Sequence, residues 1–199
     1  YPLDPPRVPQ DNPVGLYRRT FQLPREWAGM RVSLVFEGVD SAFYAWVNGR
    51  PAGFSKGRHM TSEFDVTDLV CPGENALAVQ VFQWSDASYL EDQDFWRLSG
   101  IFRDVYLIAQ PPVHIRDVFL KTPMSGGGTS LLVQAQVRNA GDSRAASRRL
   151  RAKLLDASGG LVLETVVGDT GVLQPGGEKR VAKKIPVSSP CLWSAEDPY

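Results

Sequence analysis

Sulfur and imidazole are scarce in this sequence: two cysteines, Cys71 and Cys191, and two histidines, His59 and His114, in 199 residues. One cysteine falls in each half of the chain, which argues against a bridge, and no Cys/His spacing matches a zinc site. No Asn-x-Ser/Thr sequon with a permitted middle residue occurs. Together these absences fit a reducing, cytoplasmic setting. No uncharged apolar stretch approaches the ~20 residues that span a bilayer, so no membrane partner is expected. Tyr1-Pro2-Leu3-Asp4-Pro5-Pro6 lacks the basic and apolar regions of a signal peptide, and a start on Tyr1 reads as a trimmed chain. No segment offers three clean turns of amphipathic helix. With 43% hydrophobic and 22% charged residues, the chain is neither a disordered tail nor a disulfide-rich miniprotein.

What is present is unevenly spread. Residues 1–111 hold 10 Lys/Arg and 14 Asp/Glu, net −4, whereas residues 112–199 hold 12 and 8, net +4. Seventeen of the 20 aromatics lie in the first part. Two compositions point to two domains. An acidic, aromatic-rich first part suits neutral polar ligands such as sugars. The basic second part has only Phe119, Trp193 and Tyr199, so it lacks the aromatic interleaving of a single-strand groove, and nucleic acid is excluded as a partner. Its Arg148, Arg149, Arg151, Lys153, Lys183 and Lys184 read as solvated strand faces.

The hydrophobic pattern has period two. Val32, Leu34 and Phe36 alternate with Arg31, Ser33 and Val35; Leu77, Val79 and Val81 alternate with Ala76, Ala78 and Gln80. SAFYAWV (residues 41–47) runs into Asn48-Gly49, a pair that tolerates the two positive φ angles of a type I′ turn and so signals a hairpin. Pro72-Gly73-Glu74-Asn75 marks a turn before the Leu77 strand, and residues 101–108 read as one further strand. Gln110-Pro111-Pro112 is a boundary, because consecutive prolines cannot pair in a central strand. Beyond it, residues 114–121, 130–138, 149–156, 161–167 and 178–187 read as five strands, with turns at Gly126-Gly127-Gly128 and Pro175-Gly176-Gly177. The expected architecture is all-β, with strands at sandwich or barrel spacing, in one domain over residues 1–110 and a second over 111–199. A minimal immunoglobulin-like sandwich uses seven strands. An incomplete one would leave Leu154, Val162 and Ile185 less protected than in a closed fold.

Gly53-Phe54-Ser55-Lys56-Gly57 matches the letters of a nucleophile elbow. That chemistry needs a strand-to-helix turn, and here a strand-like stretch, Glu63-Phe64-Asp65-Val66, follows instead, so the motif reads as a glycine-rich loop between strands. His59 and His114 belong to different domains without an obvious serine or cysteine partner, and read as exposed or structural. The dense feature is WSDASYLEDQDFWR (residues 84–97), where Asp86, Glu91, Asp92 and Asp94 fall within nine residues among aromatics. Carboxylates accept paired hydroxyl hydrogen bonds and bind hard cations, and Trp and Tyr faces suit sugar rings. A solvated surface loop accounts for the same residues. Sequence spacing alone does not place two acids at the ~5 Å of a retaining glycosidase pair.

SYLEDQDFWRLSGIFRDV (88–105) closely resembles the sugar-binding domain of family 2 glycoside hydrolases, in particular the large bacterial lactose-cleaving β-galactosidases. DNPVGLYRRTF (11–21), FEGVDSAFYAWVNG (36–49), SEFDVT (62–67) and PGENALAVQV (72–81) agree with it, and LWSAEDPY (192–199) resembles a stretch near the end of the family's second domain. The resemblance implies a jelly-roll sugar-binding domain, then an immunoglobulin-like domain. In the family these precede a TIM barrel that carries both catalytic glutamates; that barrel is not in this chain. The resemblance therefore implies a fragment cut at both ends, inactive alone, with no catalytic residue of its own. Its parent would hydrolyse terminal β-D-galactosides such as lactose with retention.

Of the first domain's ligand contacts in the family, only one carries over, and it falls on Asp94. The resemblance gives that Asp a place in the barrel's active site, bound to sodium and meeting the galactose 6-hydroxyl. Asp92 matches its neighbour and takes no ligand role. An Asn contributed by the first domain would lie just upstream of Tyr1-Pro2. Sodium and magnesium are the parent's expected cations, with none expected on this fragment alone, and a homotetramer is its expected assembly. The family also uses a second-domain loop to reach a neighbouring subunit, but residues 172–178 read as a plain hairpin. Two other readings remain: a stand-alone carbohydrate-binding module, and a two-sandwich structural protein that keeps the fold without the site.

Overall fold

The period-two pattern becomes two β-sandwich units in the computed structural model, which describes residues 3–91, 94, 96–125, 128–190, 192–196 and 198. The units are Tyr1–Pro111 and Pro112–Tyr199. In the first, the strands are β1 (Val14–Leu23), β2 (Arg31–Phe36), β3 (Val39–Asp40), β4 (Ala42–Val47), β5 (Arg50–Lys56), β6 (Ser62–Asp65), β7 (Gly73–Phe82), β8 (Gly100–Ile101) and β9 (Val105–Gln110). They form sheets in the orders β1-β7-β4-β5 and β6-β2-β9, with a short β3-β8 pair. All pairings are antiparallel. This is the jelly-roll type of sandwich. One helical turn, α1 (Ser88–Glu91), and a 3-10 turn at Arg25–Trp27 are short enough that no amphipathic period could announce them. Among the described residues no helix is long and apolar enough to cross a membrane.

Alternation places Val32, Leu34 and Phe36 of β2, Phe43, Ala45 and Val47 of β4, and Val79 and Val81 of β7 in one buried cluster. Each of the larger side chains contributes about 1.5–3 kcal/mol by leaving water. Three rings close the middle of the layer: Phe36 and Phe43 have centroids 4.6 Å apart, and Phe64 stands edge-on to both at 6.1 and 5.9 Å. The Asn48-Gly49 hairpin takes φ of 51° and 77°, the two positive angles expected of it. β5 passes so near this aromatic layer that a Cβ on Gly53 would lie 2.3 Å from the Phe64 ring.

Two expectations for this unit are corrected. The strand read over 101–108 is broken into β8 and β9. Its partners β2 and β3 are themselves interrupted at Glu37-Gly38, where a Cβ would meet the Phe102 ring at 2.8 Å, so the opposing chain bows out between them. The turn at Pro72–Asn75 is shorter than expected. β7 begins at Gly73, already paired with Leu23 of β1, and the buried Asn75 amide binds Cys71 O, Gly73 O and Cys71 N at 2.7–2.9 Å. Cys71 is a free, exposed thiol; Cys191 lies outside the described residues.

The second unit contains β10 (Val113–Lys121), β11 (Met124–Ser125), β12 (Gly128–Asn139), β13 (Arg149–Leu155), β14 (Leu161–Asp169) and β15 (Glu178–Val187). β12 pairs β10 on one side and β15 on the other, with β11 added at its start, and β13-β14 forms a separate pair. Val133, Val181 and Ile185 of the first sheet meet Val167 of the second in a small core. Ile185 is therefore buried, contrary to the expectation for it; Leu154 is half-buried and Val162 exposed. The hairpin read over 172–178 is also corrected. No ladder joins β14 to β15, and the connection crosses between the two sheets, bridging Leu173 to Ala145. The 1%-exposed Asn139 holds this crossing: its amide donates to Ser143 O, Leu173 O and Gln174 O. Of the Gly126–Gly128 turn, residues 126 and 127 lie outside the described residues.

Two outcomes follow from the first unit. Gly53→Ala pushes a methyl group into the Phe64 ring and should cost about 1–3 kcal/mol in urea unfolding, the usual penalty of overpacking; wild-type stability would contradict the close approach. Asp65 supplies a pH test. Burial raises its pKa, but the Thr67 hydroxyl and amide and the Arg31 guanidinium outweigh burial and hold it below the ordinary 3.8. A carboxyl depressed in the folded state contributes stability that is present above its unfolded value and lost as pH falls through the folded one. The stability gap between wild type and Asp65→Asn should thus be constant above about pH 5 and close below about pH 3.8. A gap independent of pH would contradict this.

Candidate functional site

The acidic, aromatic stretch leaves β7 after Phe82 and re-enters the fold at β8. Its start is tied to the N-terminal segment. Asn12 exchanges two hydrogen bonds with the Trp84 backbone at 2.9 and 3.0 Å, and the Tyr89 hydroxyl donates to Leu3 O at 3.1 Å and to Arg7 O. Ser88 is 2% exposed and its Oγ accepts from Ser85 N, which nucleates the single turn α1.

The far side of the stretch is tied to Arg58. This side chain is 8% exposed and pairs with Asp40, itself 6% exposed, at 3.3 Å. A buried charge is tolerated only when paired and hydrogen-bonded. The same Arg58 Nη2 donates to Trp96 O at 3.5 Å, and the Arg58 backbone N–H donates to Glu91 Oε2 at 3.0 Å. Asp40 sits on β3, opposite Gly100 of β8. Strand pairing and a buried ion pair thus converge at the base of the stretch.

Asp94 stands between these ties, exposed in a turn, with φ of 56°. That is the left-handed region, uncommon for residues other than glycine, although Asp is among those that tolerate it. Trp96 and Leu98 beside it are 84% and 72% exposed. The other acids of the stretch go elsewhere. Asp86 forms an ion pair with Lys56 at 2.6 Å, and the Lys56 hydrogen bond holds its carboxyl below the ordinary range. Glu91 turns to Arg58. Asp92 lies outside the described residues. Among the described residues no three His, Cys, Asp or Glu side chains come together to hold a metal ion. The acids that sequence places side by side are therefore divided among three tasks.

The remaining motifs are structural. Ser55 lies within β5, not in a loop, and its Oγ accepts a 2.7 Å hydrogen bond from Ser62. No helix follows it, so the elbow geometry is absent here. His59 packs edge-on against Phe102 at 5.7 Å, and His114 lies on β10 in the other unit. A largely apolar cleft of about 800 Å3 opens between β1 and β9, lined in part by Leu16, Tyr17, Leu77 and Leu107; Asp94 does not line it. Sequence reasoning missed Asp40 and Arg58. The available signal was Asp40, the one charged residue in the run from Val39 to Val47.

The chain is similar to known proteins along its length. Residues 1–111 match the model of "Glycosyl hydrolases family 2, sugar binding domain", and residues 113–199 match that of "Glycosyl hydrolases family 2". A protein named Beta-galactosidase from Pectobacterium atrosepticum is 41% identical over 207 residues, covering 100% of this chain and 19% of the relative. One of the same name from Priestia megaterium is 41% identical over 199 residues, covering 98% and 19%. The chain thus spans about a fifth of the length of these relatives. Among solved structures, Bacteroides uniformis beta-glucuronidase superposes with a TM-score of 0.81 at 25% identity, over 93% of this chain and 23% of that one. A glycosyl hydrolase family 2 member from Bacteroides cellulosilyticus gives 0.77 at 26%, over 94% and 25%.

The buried pair can be tested on this chain. Asp40→Asn takes a carboxylate away from the buried Arg58 guanidinium and should cost about 3–5 kcal/mol in urea unfolding. Asp86→Asn, which opens an exposed pair, should unfold near wild type. Equal effects of the two substitutions would contradict the burial of Asp40 and Arg58.

Proposed function

The chain belongs to glycosyl hydrolase family 2, and on that premise we propose that it supplies the two non-catalytic leading domains of a β-galactosidase. The whole enzyme hydrolyses terminal β-D-galactosides such as lactose with retention, on a catalytic barrel of the same polypeptide. The preference for galactoside is supported by relatives named Beta-galactosidase at 41% identity, against 25% for the structural neighbour named beta-glucuronidase. In this reading the chain's contribution to the active site is Asp94.

One observation carries that assignment: Asp94 is exposed on a turn whose backbone is held in the left-handed region. Its oxygens can reach a ligand outside this chain. Hard cations are bound by oxygen donors, and the exposed Asp94 carboxylate would be this chain's ligand to a sodium ion. A cation held there would offset the carboxylate charge near the sugar 6-hydroxyl. Asp94 itself orients the galactose end of the substrate by accepting from that hydroxyl. Magnesium belongs to this proposal as a second cation of the whole enzyme. Assembly as a homotetramer and residence in the cytoplasm belong to the same proposal.

Asp94→Asn in the longer enzyme should abolish the sodium dependence of galactoside hydrolysis and weaken turnover, while the thermal transition stays as in wild type. The assignment fails if the variant responds to sodium and substrate as the wild type does, or if it unfolds the domain. The 199-residue chain alone should not hydrolyse a chromogenic β-galactoside above background.

A further inference from the structure

We propose that Arg58 is a positioning residue for Asp94: it clamps the segment that carries Asp94 at both ends. This role rests on the reading of Asp94 given above and extends it to residues that touch no substrate. Glu91 lies three residues before Asp94 and Trp96 two residues after it. Both are bound to residue 58, Glu91 through its carboxylate on the Arg58 backbone N–H at 3.0 Å and Trp96 through its carbonyl on the guanidinium at 3.5 Å. The clamp cannot swing, because the guanidinium is buried against Asp40 at 3.3 Å and Asp40 is built into the β3-β8 pair. Only five peptide bonds separate the two tied points, and Asp94 lies between them. The left-handed backbone at Asp94, with φ of 56°, is a conformation that persists where its surroundings hold it. The Nη2 nitrogen that meets Asp40 also carries the hydrogen for Trp96 O; a lysine ammonium of shorter reach does not bring its nitrogen to that position.

Two variants separate the arms of the clamp. Arg58→Lys keeps a cation for Asp40 but shortens the reach to Trp96 O, whereas Glu91→Gln weakens the other tie and leaves the ion pair intact. In the 199-residue chain, hydrogen exchange read by mass spectrometry should speed up about tenfold in peptides spanning 88–98 for Arg58→Lys. Peptides of β4 and β7 should stay near wild type, and Glu91→Gln should act in the same direction. Should Arg58→Lys open the whole unit, Glu91→Gln decides the matter. Unchanged exchange over 88–98 in Glu91→Gln and in a folded Arg58→Lys overturns the clamp. In the longer enzyme, Arg58→Lys should raise the half-saturating sodium concentration and the KM for a galactoside about tenfold, and should add nothing to KM in an Asp94→Asn background. A multiplicative loss in both backgrounds, as from general loosening of the fold, overturns the positioning role. If Asp94→Asn alone leaves the sodium response unchanged, the reading of Asp94 fails and the positioning role falls with it. Exchange over 88–98 then still reports whether the clamp exists, so the two failures are told apart.

Discussion

A guanidinium taken out of water has to be answered by a carboxylate, and in the first unit that demand organises everything around the acidic stretch. Arg58 finds its counter-charge in Asp40, on a strand whose other neighbours are Val39, Ala42 and Phe43, all 2–4% exposed. The desolvation that makes such a pair expensive to form also makes it intolerant of misplacement. The pair therefore ties the turn after β5 to the β3-β8 ladder, and through Glu91 and Trp96 to the stretch that presents Asp94. Exposed pairs such as Lys56–Asp86 impose no comparable order, since water can replace either partner.

The two units solve the problem of a β-sandwich at different scales. The first has a deep aromatic layer, with Phe36, Phe43 and Phe64 in mutual ring contact, and can spend polar side chains on its margins. The second gathers Val167, Val181 and Ile185 around Val133 and relies on Asn139 to satisfy the backbone where the chain crosses between sheets. In both, a buried asparagine stands where a strand meets a turn, Asn75 in one and Asn139 in the other, because an amide can donate and accept within a space that admits no water network. Neither contributes to the apolar pattern, so hydrophobic periodicity says nothing of them.

The acidic stretch illustrates how chemistry that is crowded in sequence is dispersed in space. Four carboxylates within nine residues suggest a metal or sugar cluster, yet Asp86 is spent on Lys56 and Glu91 on the Arg58 backbone. Asp94 is exposed on a turn with a left-handed backbone. That division decides which acid is available to a ligand, and it is produced by partners 30 to 33 residues away in the chain. Family membership directs attention to this stretch; the hydrogen bonds say why one acid in it differs from the others.

The sequence by itself determined the all-β class, the Asn48-Gly49 hairpin, five strands of the second unit and the family. Each of these depends on local rules, such as a side-chain period of two, positive φ at Asn-Gly and motifs read in order. It also singled out Asp94, through resemblance. Tertiary structure alone decided the break of the 101–108 strand, the crossing at 170–177, the burial of Ile185 and the pairing of Arg58 with Asp40. These are settled by what lies opposite in space: an interrupted partner strand at Gly38, a second sheet at Ala145, a facing core at Val133 and Val167, and a carboxylate 18 residues away. No periodicity along a chain encodes the distance between two residues that only folding brings together.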